Sequence, residues 1–424
     1  MGLKEAVIYL DNQWNTYYAG QTVNGRIEYV FDSPKKVRGI HVKFKGEAHT
    51  EWNESKQEEA TDGKTESTDT LHTGHEEYFQ IFYYLLGSNS GNEIEIPSGK
   101  QVYNFTCALP PVLPSSFEGQ YGYVRYTIKV TLDRPWKFDQ ETKMAFTVIN
   151  ALDLNLNPSY SEPLHFQMEK TFCRFCCFCC KSQPLSVDIR VPVSGYCPGQ
   201  IMTLTVDIEN KSNAQLHFLK ILLRKIVTYR ATSPTNVTKK SKHIVRFYLT
   251  IHQGPVPANT TKHWNLNMKI PPIPPSNLVN CSIIDLDYDL KVECVMSGMH
   301  KNLKDKKYIT IGTVPLVGTG AHLSAPALSE GANQPAILPV APGEPAQPSA
   351  PGDDHGGWVV PGSTPAQPPF QSLYPTLSAP EYRESSYGRN IRDRNENEHM
   401  VITGPAKFAP FYPTYASVQP PPLP

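Results

Sequence analysis

A chain of 424 residues is too long for one ordinary domain, so two cores plus additional material is the expected organisation. Its 40 Lys and Arg balance 40 Asp and Glu, which removes any whole-chain charge argument for nucleic acid or an anionic membrane as partner. No apolar run approaches the roughly 20 residues that a membrane-spanning helix needs.

The first residues, MGLKEAVIYLDNQW, enter strand-like alternation directly and lack the apolar stretch of a signal peptide. Gly2 follows the initiator, but Ala6 stands where a myristoylation signal wants Ser or Thr. Outside one cluster the cysteines are four, Cys107, Cys197, Cys281 and Cys294, too scattered for a disulfide framework. A cytoplasmic, reduced protein is expected. Strands are then predicted in order. VYNFTCAL, YVRYTIKVTLD and KMAFTVIN precede residue 151, and IMTLTVDIEN, HIVRFYLTIH, KHWNLNMKIP and YDLKVECVM follow. Asn24-Gly25, Asp32-Ser33-Pro34, Glu118-Gly119 and Pro198-Gly199 supply turns. QLHFLKILLRKIVTYR fits helical as well as strand spacing and is read as a long strand because its neighbours are strands. Residues 47–77, with ten acidic residues against two lysines, read as a mobile polar insert.

Two runs of about seven strands point to an all-β chain of two tandem immunoglobulin-like sandwiches. The halves also repeat one another: residues 17–46 and 195–225 each show an aromatic, a Gly-Gln pair, a strand, a polar turn and a basic strand. The expected domains are a first sandwich at 1–152, a linker at 153–183, a second sandwich at 184–316 and a tail at 317–424. That tail holds 20 of the 39 prolines without a sustained apolar period, and it is expected to be disordered. Residues 181–316 carry eighteen Lys/Arg against eight Asp/Glu. Two readings of that excess stand equally: a patch for acidic phospholipid or a phosphorylated tail, and a merely solvated surface.

Several segments carry a more specific likeness. AGQTVNGRI, VKFKGEA and LPPVLPSSFEGQYGYVRYTIKV in the first half, with SGYCPGQ, IPPIPPSNLVNCSIIDLDYDLKV and ITIGTVPL in the second, resemble the α-arrestins, the arrestin domain-containing proteins, over residues 5–316. The resemblance implies two curved arrestin sandwiches and a flexible tail. It implies an adaptor, not an enzyme, that links membrane receptors or transporters to ubiquitin ligases and endosomal (ESCRT) sorting at the plasma membrane and endosomes. An alternative is a regulatory scaffold of the thioredoxin-interacting kind acting through cysteine, with Cys197 or the cluster as the reactive group. The residues themselves offer no Gly-rich phosphate loop, no H-E-x-x-H, no G-x-S-x-G and no nucleophile beside a base. No catalytic residue, cofactor site or metal site is therefore assigned. Asp285, Asp287 and Asp289 alternate along one strand face and read as edge charge.

Partner-binding residues are expected in the tail. Family tails commonly carry PPxY for WW-domain ubiquitin ligases of the HECT type. Here Ala379-Pro380-Glu381-Tyr382 and Tyr412-Pro413-Thr414-Tyr415 keep one proline and the tyrosine, a weakened form. Pro348-Ser349-Ala350-Pro351 is similar to ligands of the ESCRT-I UEV domain. Leu373-Tyr374-Pro375-Thr376-Leu377 is similar to ligands of the ESCRT adaptor ALIX and also reads as a clathrin-adaptor signal. Such motifs are expected to dock as extended chain. Finally, KTFCRFCCFCCKS places Cys173, Cys176, Cys177, Cys179 and Cys180 at the junction of the halves. S-acylation, a metal site completed by Cys197 and plain packing stay open, the first implying peripheral membrane contact. Nucleic acid is not an expected partner.

Overall fold

The computed structural model describes residues 3–59, 65–88, 91–172, 182–232, 239–317, 370–392, 396 and 400–416. Strands dominate, as the alternation required. In the first half Leu3–Leu10, Thr22–Phe31 and Gly99–Ala108 form an antiparallel three-stranded sheet. It faces a second sheet ordered Thr65–Gly87, Gly39–Glu59, Gly122–Asp133, Gln140–Ile149 and Thr16–Tyr18. Ile27, Phe44, Ile128 and Phe146 pack fully buried in the core.

The second half repeats this plan. Leu164–Lys170, Leu185–Val191, Ile201–Asn210 and Thr260–Lys269 make one sheet. Leu216–Thr232, Lys239–Gln253, Ile284–Met296, Leu303–Ile311 and Gly195–Tyr196 build the other. The long-strand reading of 216–230 holds, because that segment pairs with strands on either side. The sandwiches join where Thr73 pairs with Thr232.

The internal repeat has a physical counterpart. In each half an inward tyrosine hydroxyl donates to a proline carbonyl: Tyr126 to Pro114 at 2.6 Å and Tyr288 to Pro274 at 2.8 Å. A buried serine two residues after that proline accepts from a strand amide, Val148 to Ser116 and Ile311 to Ser276, each at 2.9 Å. The Gly-Gln pairs correspond equally, with Gln21 accepting from the Tyr18 amide and Gln200 from the Cys197 amide. Gly20 and Gly199 hold the tight turn at φ of 83° and 88°, where a Cβ would be strained. The LPPVLPSS and IPPIPPS segments are thus one structural device used twice.

Three expectations need correction. Residues 47–59 and 65–77 do not form the expected mobile insert: they belong to Gly39–Glu59 and Thr65–Gly87, one long antiparallel pair matched from Gly39↔Gly87 to Glu59↔Thr65 with register shifts at Ile40/His41 and Gly46/Glu47, while 60–64 lie outside the described residues. Cross-strand neighbours such as His72 with Glu54 (3.0 Å) and the buried Trp52 beside His72 offset the acidic composition. The linker 153–183 contains Leu164–Lys170, which pairs with Leu185–Val191 and so belongs to the second sandwich. And the expected disorder does not extend to residues 370–392 and 400–416, which form short strands against the body.

Candidate functional site: the tail dock

The Gly122–Asp133 strand shows where the dock comes from. Val124, Tyr126, Ile128 and Val130 face the sandwich core, yet the alternate residues Arg125 and Thr127 are buried too. On the neighbouring strand Lys143, Ala145 and Thr147 are likewise buried between core-facing Met144, Phe146 and Val148. A sheet face bearing Arg, Lys and Thr ordinarily meets water. Here the tail covers it. Val401–Ile402 adds in parallel at Thr142↔Val401 and Lys143↔Ile402, extending the sheet by main-chain pairing. Ile391 and Phe408 pack on Ala145, whose small side chain leaves room for them.

The polar groups beneath are satisfied. Arg125 donates bidentately to Glu118 at 2.7 and 2.9 Å, both side chains nearly inaccessible. Lys143 reaches tail Glu396 at 2.7 Å. Aromatic anchors then run across both sandwiches. The Tyr412 hydroxyl donates to the Ser116 carbonyl (2.9 Å) in the first, and Tyr415 donates through its hydroxyl to the Thr313 carbonyl and through its amide to Pro198, both at 2.8 Å, in the second. Tyr374 donates to Asp153 (2.7 Å) at the junction, and Phe370 lies edge-on to Tyr18 at 5.8 Å.

The motif residues are therefore placed quite differently from an extended, accessible peptide. Phe370 to Leu377 is a coiled turn, with the Leu373 and Tyr374 amides donating to the Phe370 carbonyl and the Leu377 amide to that of Tyr374. Tyr374 is buried, Leu377 partly buried and Leu373 exposed. Burial and the Asp153 carboxylate push the Tyr374 hydroxyl up to about 12. The two degenerate PxY segments are zipped to each other: Glu381–Glu384 pairs with Phe411–Thr414, putting Tyr382 opposite Pro413. Tyr382 also touches the Tyr18 hydroxyl at 3.2 Å and packs near Trp14, and Tyr415 is buried. Polyproline II docking by either segment is incompatible with that hairpin. The composition alone missed the dock because proline richness masked the concentration of aromatics in KFAPFYPTYA, at 408, 411, 412 and 415.

Residues 348–351 and Cys173, Cys176, Cys177, Cys179 and Cys180 lie outside the described residues. Cys197 is fully buried with its thiol pushed well up by burial, and burial likewise raises Cys107 to about 11 and Cys294 to about 12. Such thiols are poor nucleophiles, which removes Cys197 from the cysteine-scaffold alternative. Among the described residues no group of three or more His, Cys, Asp or Glu is placed to hold a metal, and no helix is long and apolar enough to cross a membrane. The aspartates are also reassigned. Asp289 is no edge charge, for it is fully buried and held bidentately by Arg224.

Comparison with known proteins agrees with the two-sandwich plan. The family described as "Arrestin (or S-antigen), N-terminal domain" matches residues 6–155, and "Arrestin (or S-antigen), C-terminal domain" matches 181–316. Arrestin domain-containing protein 17 of Caenorhabditis elegans is 28% identical over 96% of this chain and 98% of its own. Arrestin domain-containing protein 4 of Mus musculus is 29% identical over 75% of this chain and 74% of its own. Arrestin domain-containing protein 1 of Mus musculus is 25% identical over 65% and 57%, respectively. With both arrestin domains matched in order and the duplicated Tyr–Pro–Ser locks in place, this chain belongs to the arrestin domain-containing, or α-arrestin, family.

Proposed function

We propose that the chain is a non-enzymatic adaptor that brings WW-domain ubiquitin ligases and endosomal sorting components (the ESCRT-I UEV domain and ALIX) to membrane receptors or transporters. The tail exchanges between its dock on the body and those partners. One observation carries this reading: Tyr374, Tyr382 and Tyr415, the anchors of three candidate motifs, are the side chains the body holds. An anchor cannot fill the body and a partner groove at once, so partner affinity is reduced by the fraction of tail that is docked. Placement at plasma membrane and endosomes follows from the cargo.

The test uses the full chain and immobilised WW, UEV and ALIX domains. Phe370→Ser with Phe408→Ser removes two tail anchors that lie outside every motif and leaves the body's own residues unchanged. The double variant is expected to capture WW or ALIX domains at least tenfold better than wild type. Adding Tyr374→Ala, Tyr382→Ala and Tyr415→Ala should abolish the gain. Equal, negligible capture by wild type and double variant would sink the proposal.

A further inference from the structure

A cavity of about 230 Å³ lies where the two sandwiches and the tail meet. Its walls are the Glu118–Gln120 turn of the first domain, Lys225 and Arg246 of the second, and Ser386 and Tyr387 of the tail. Lys225 is 6% exposed, and its ammonium sits between the faces of Phe117 and Tyr248 at 5.5 and 5.1 Å. Two rings give it cation–π attraction but accept none of its N–H donors in the ordinary way. Among the described residues no acidic side chain forms an ion pair with Lys225 or Arg246. The one carboxylate on the wall, Glu118, is taken bidentately by Arg125. Arg246 donates to the Gln120 side chain at 2.8 Å and leans on the Tyr387 ring, leaving part of its fork free. Two cations thus face one partly open space, each raising the cost of the other, and among the described residues neither is ion-paired with a carboxylate.

We propose that this cavity is an anion site for a compact phosphate group, held between the Lys225 ammonium and the Arg246 guanidinium. A guanidinium fork matches phosphate oxygens, and an ammonium supplies three further donors. The volume lies below that of ordinary drug-sized pockets, which start near roughly 300 Å³, so a phosphate or pyrophosphate fits the space better than a larger molecule. A long, flexible peptide carboxylate is less suited to a chamber walled on three sides. The same chemistry has two sources: a free phosphate anion, or a phosphoryl group carried by Ser386 or Tyr387, the hydroxyl residues of the tail wall. The inference stands apart from the adaptor reading, since it rests on Lys225 and Arg246 and not on any tail motif.

Two arms on the full chain test it. In the first, pyrophosphate is titrated into unmodified protein by calorimetry. Lys225→Met keeps an apolar stem between the two rings, and it and Arg246→Gln should each weaken binding at least tenfold. Lys262→Gln on the outer sheet should change nothing. In the second, phosphoserine is installed at Ser386, or phosphotyrosine at Tyr387, and amide exchange is followed over 381–390. Slowing that vanishes in Lys225→Met assigns the site to the tail phosphoryl group. Pyrophosphate binding that depends on Lys225 assigns it to a free anion. Absence of Lys225-dependent behaviour in both arms overturns the proposal.

Discussion

Asp285, Asp287 and Asp289 occupy alternate positions of one strand, yet their surroundings give each a different role. Asp285 faces Arg230 near solvent, and burial together with Asp285 pushes the Asp287 carboxyl up. Asp289 is fully enclosed against Arg224, which is itself mostly buried. A buried pair of this kind contributes little net stability, but removing one partner strands the other. Arg224→Met is expected to cost about 3–5 kcal/mol, read as a lower urea midpoint. Combining it with Asp289→Leu should restore most of the loss, because no unpaired charge then remains. A double variant no more stable than the single one would contradict this assignment.

At the scale of elements, the tail strands are short and held chiefly by side-chain anchors, so their opening should precede that of the sandwiches. Tyr415 is buried and bonds twice to the second domain, and Gly199, at φ of 88°, lets the Tyr415 backbone approach where a Cβ would meet its nitrogen at 2.8 Å. Tyr415→Ala removes that anchor at a cost of about 3 kcal/mol. Amide exchange over 411–414 and over its partner strand 381–384 should then quicken about 100-fold. Exchange in Gly122–Asp133, closed by the core as well as the tail, should change far less. Uniform acceleration across both would show that the tail is not a separate opening unit. The long hairpin of 39–59 and 65–87 teaches the converse lesson. Its acidic sequence argues for a loop, but cross-strand register is decided by which partner lies opposite, and composition does not report that.

For the whole molecule, the junction of the two sandwiches and the tail fixes the pH response of one group. Burial, then Arg246, lowers the Lys225 ammonium to about 8 from its ordinary 10.5. Between those values the unfolded chain binds more protons at this site, so its contribution to stability rises with pH. Below pH 8 the buried cation costs about 3 kcal/mol at 1.36 kcal/mol per unit. Lys225→Met should therefore be more stable than wild type at pH 7, by calorimetry or urea, with the margin shrinking toward pH 10. Of the two rings facing it, Phe117 has no titratable group and burial pushes the Tyr248 hydroxyl well above that window. A margin that is absent or independent of pH would mean that the ammonium is better solvated than its 6% exposure implies.

How much was legible in the sequence divides along a physical line. Strand alternation, most of the turn residues (Asn24-Gly25 instead lies inside the Thr22–Phe31 strand) and the duplicated Gly-Gln and Pro-Pro-Ser segments pointed to two sandwiches of one plan, because period two and positive φ act within a few residues. The family likeness rested on the same segments. Three decisions belonged to the tertiary structure. That Arg125, Lys143 and Thr147 face a tail and not water depends on a segment more than 240 residues away. That the two PxY segments close on each other, and that Tyr374 meets Asp153, depends on register between distant strands. That Lys225 and Arg246 line one cavity whose wall carboxylate, Glu118, is engaged by Arg125 depends on how the two sandwiches and the tail meet. Pairing partners and enclosure are long-range properties, set only when the whole chain has folded around them.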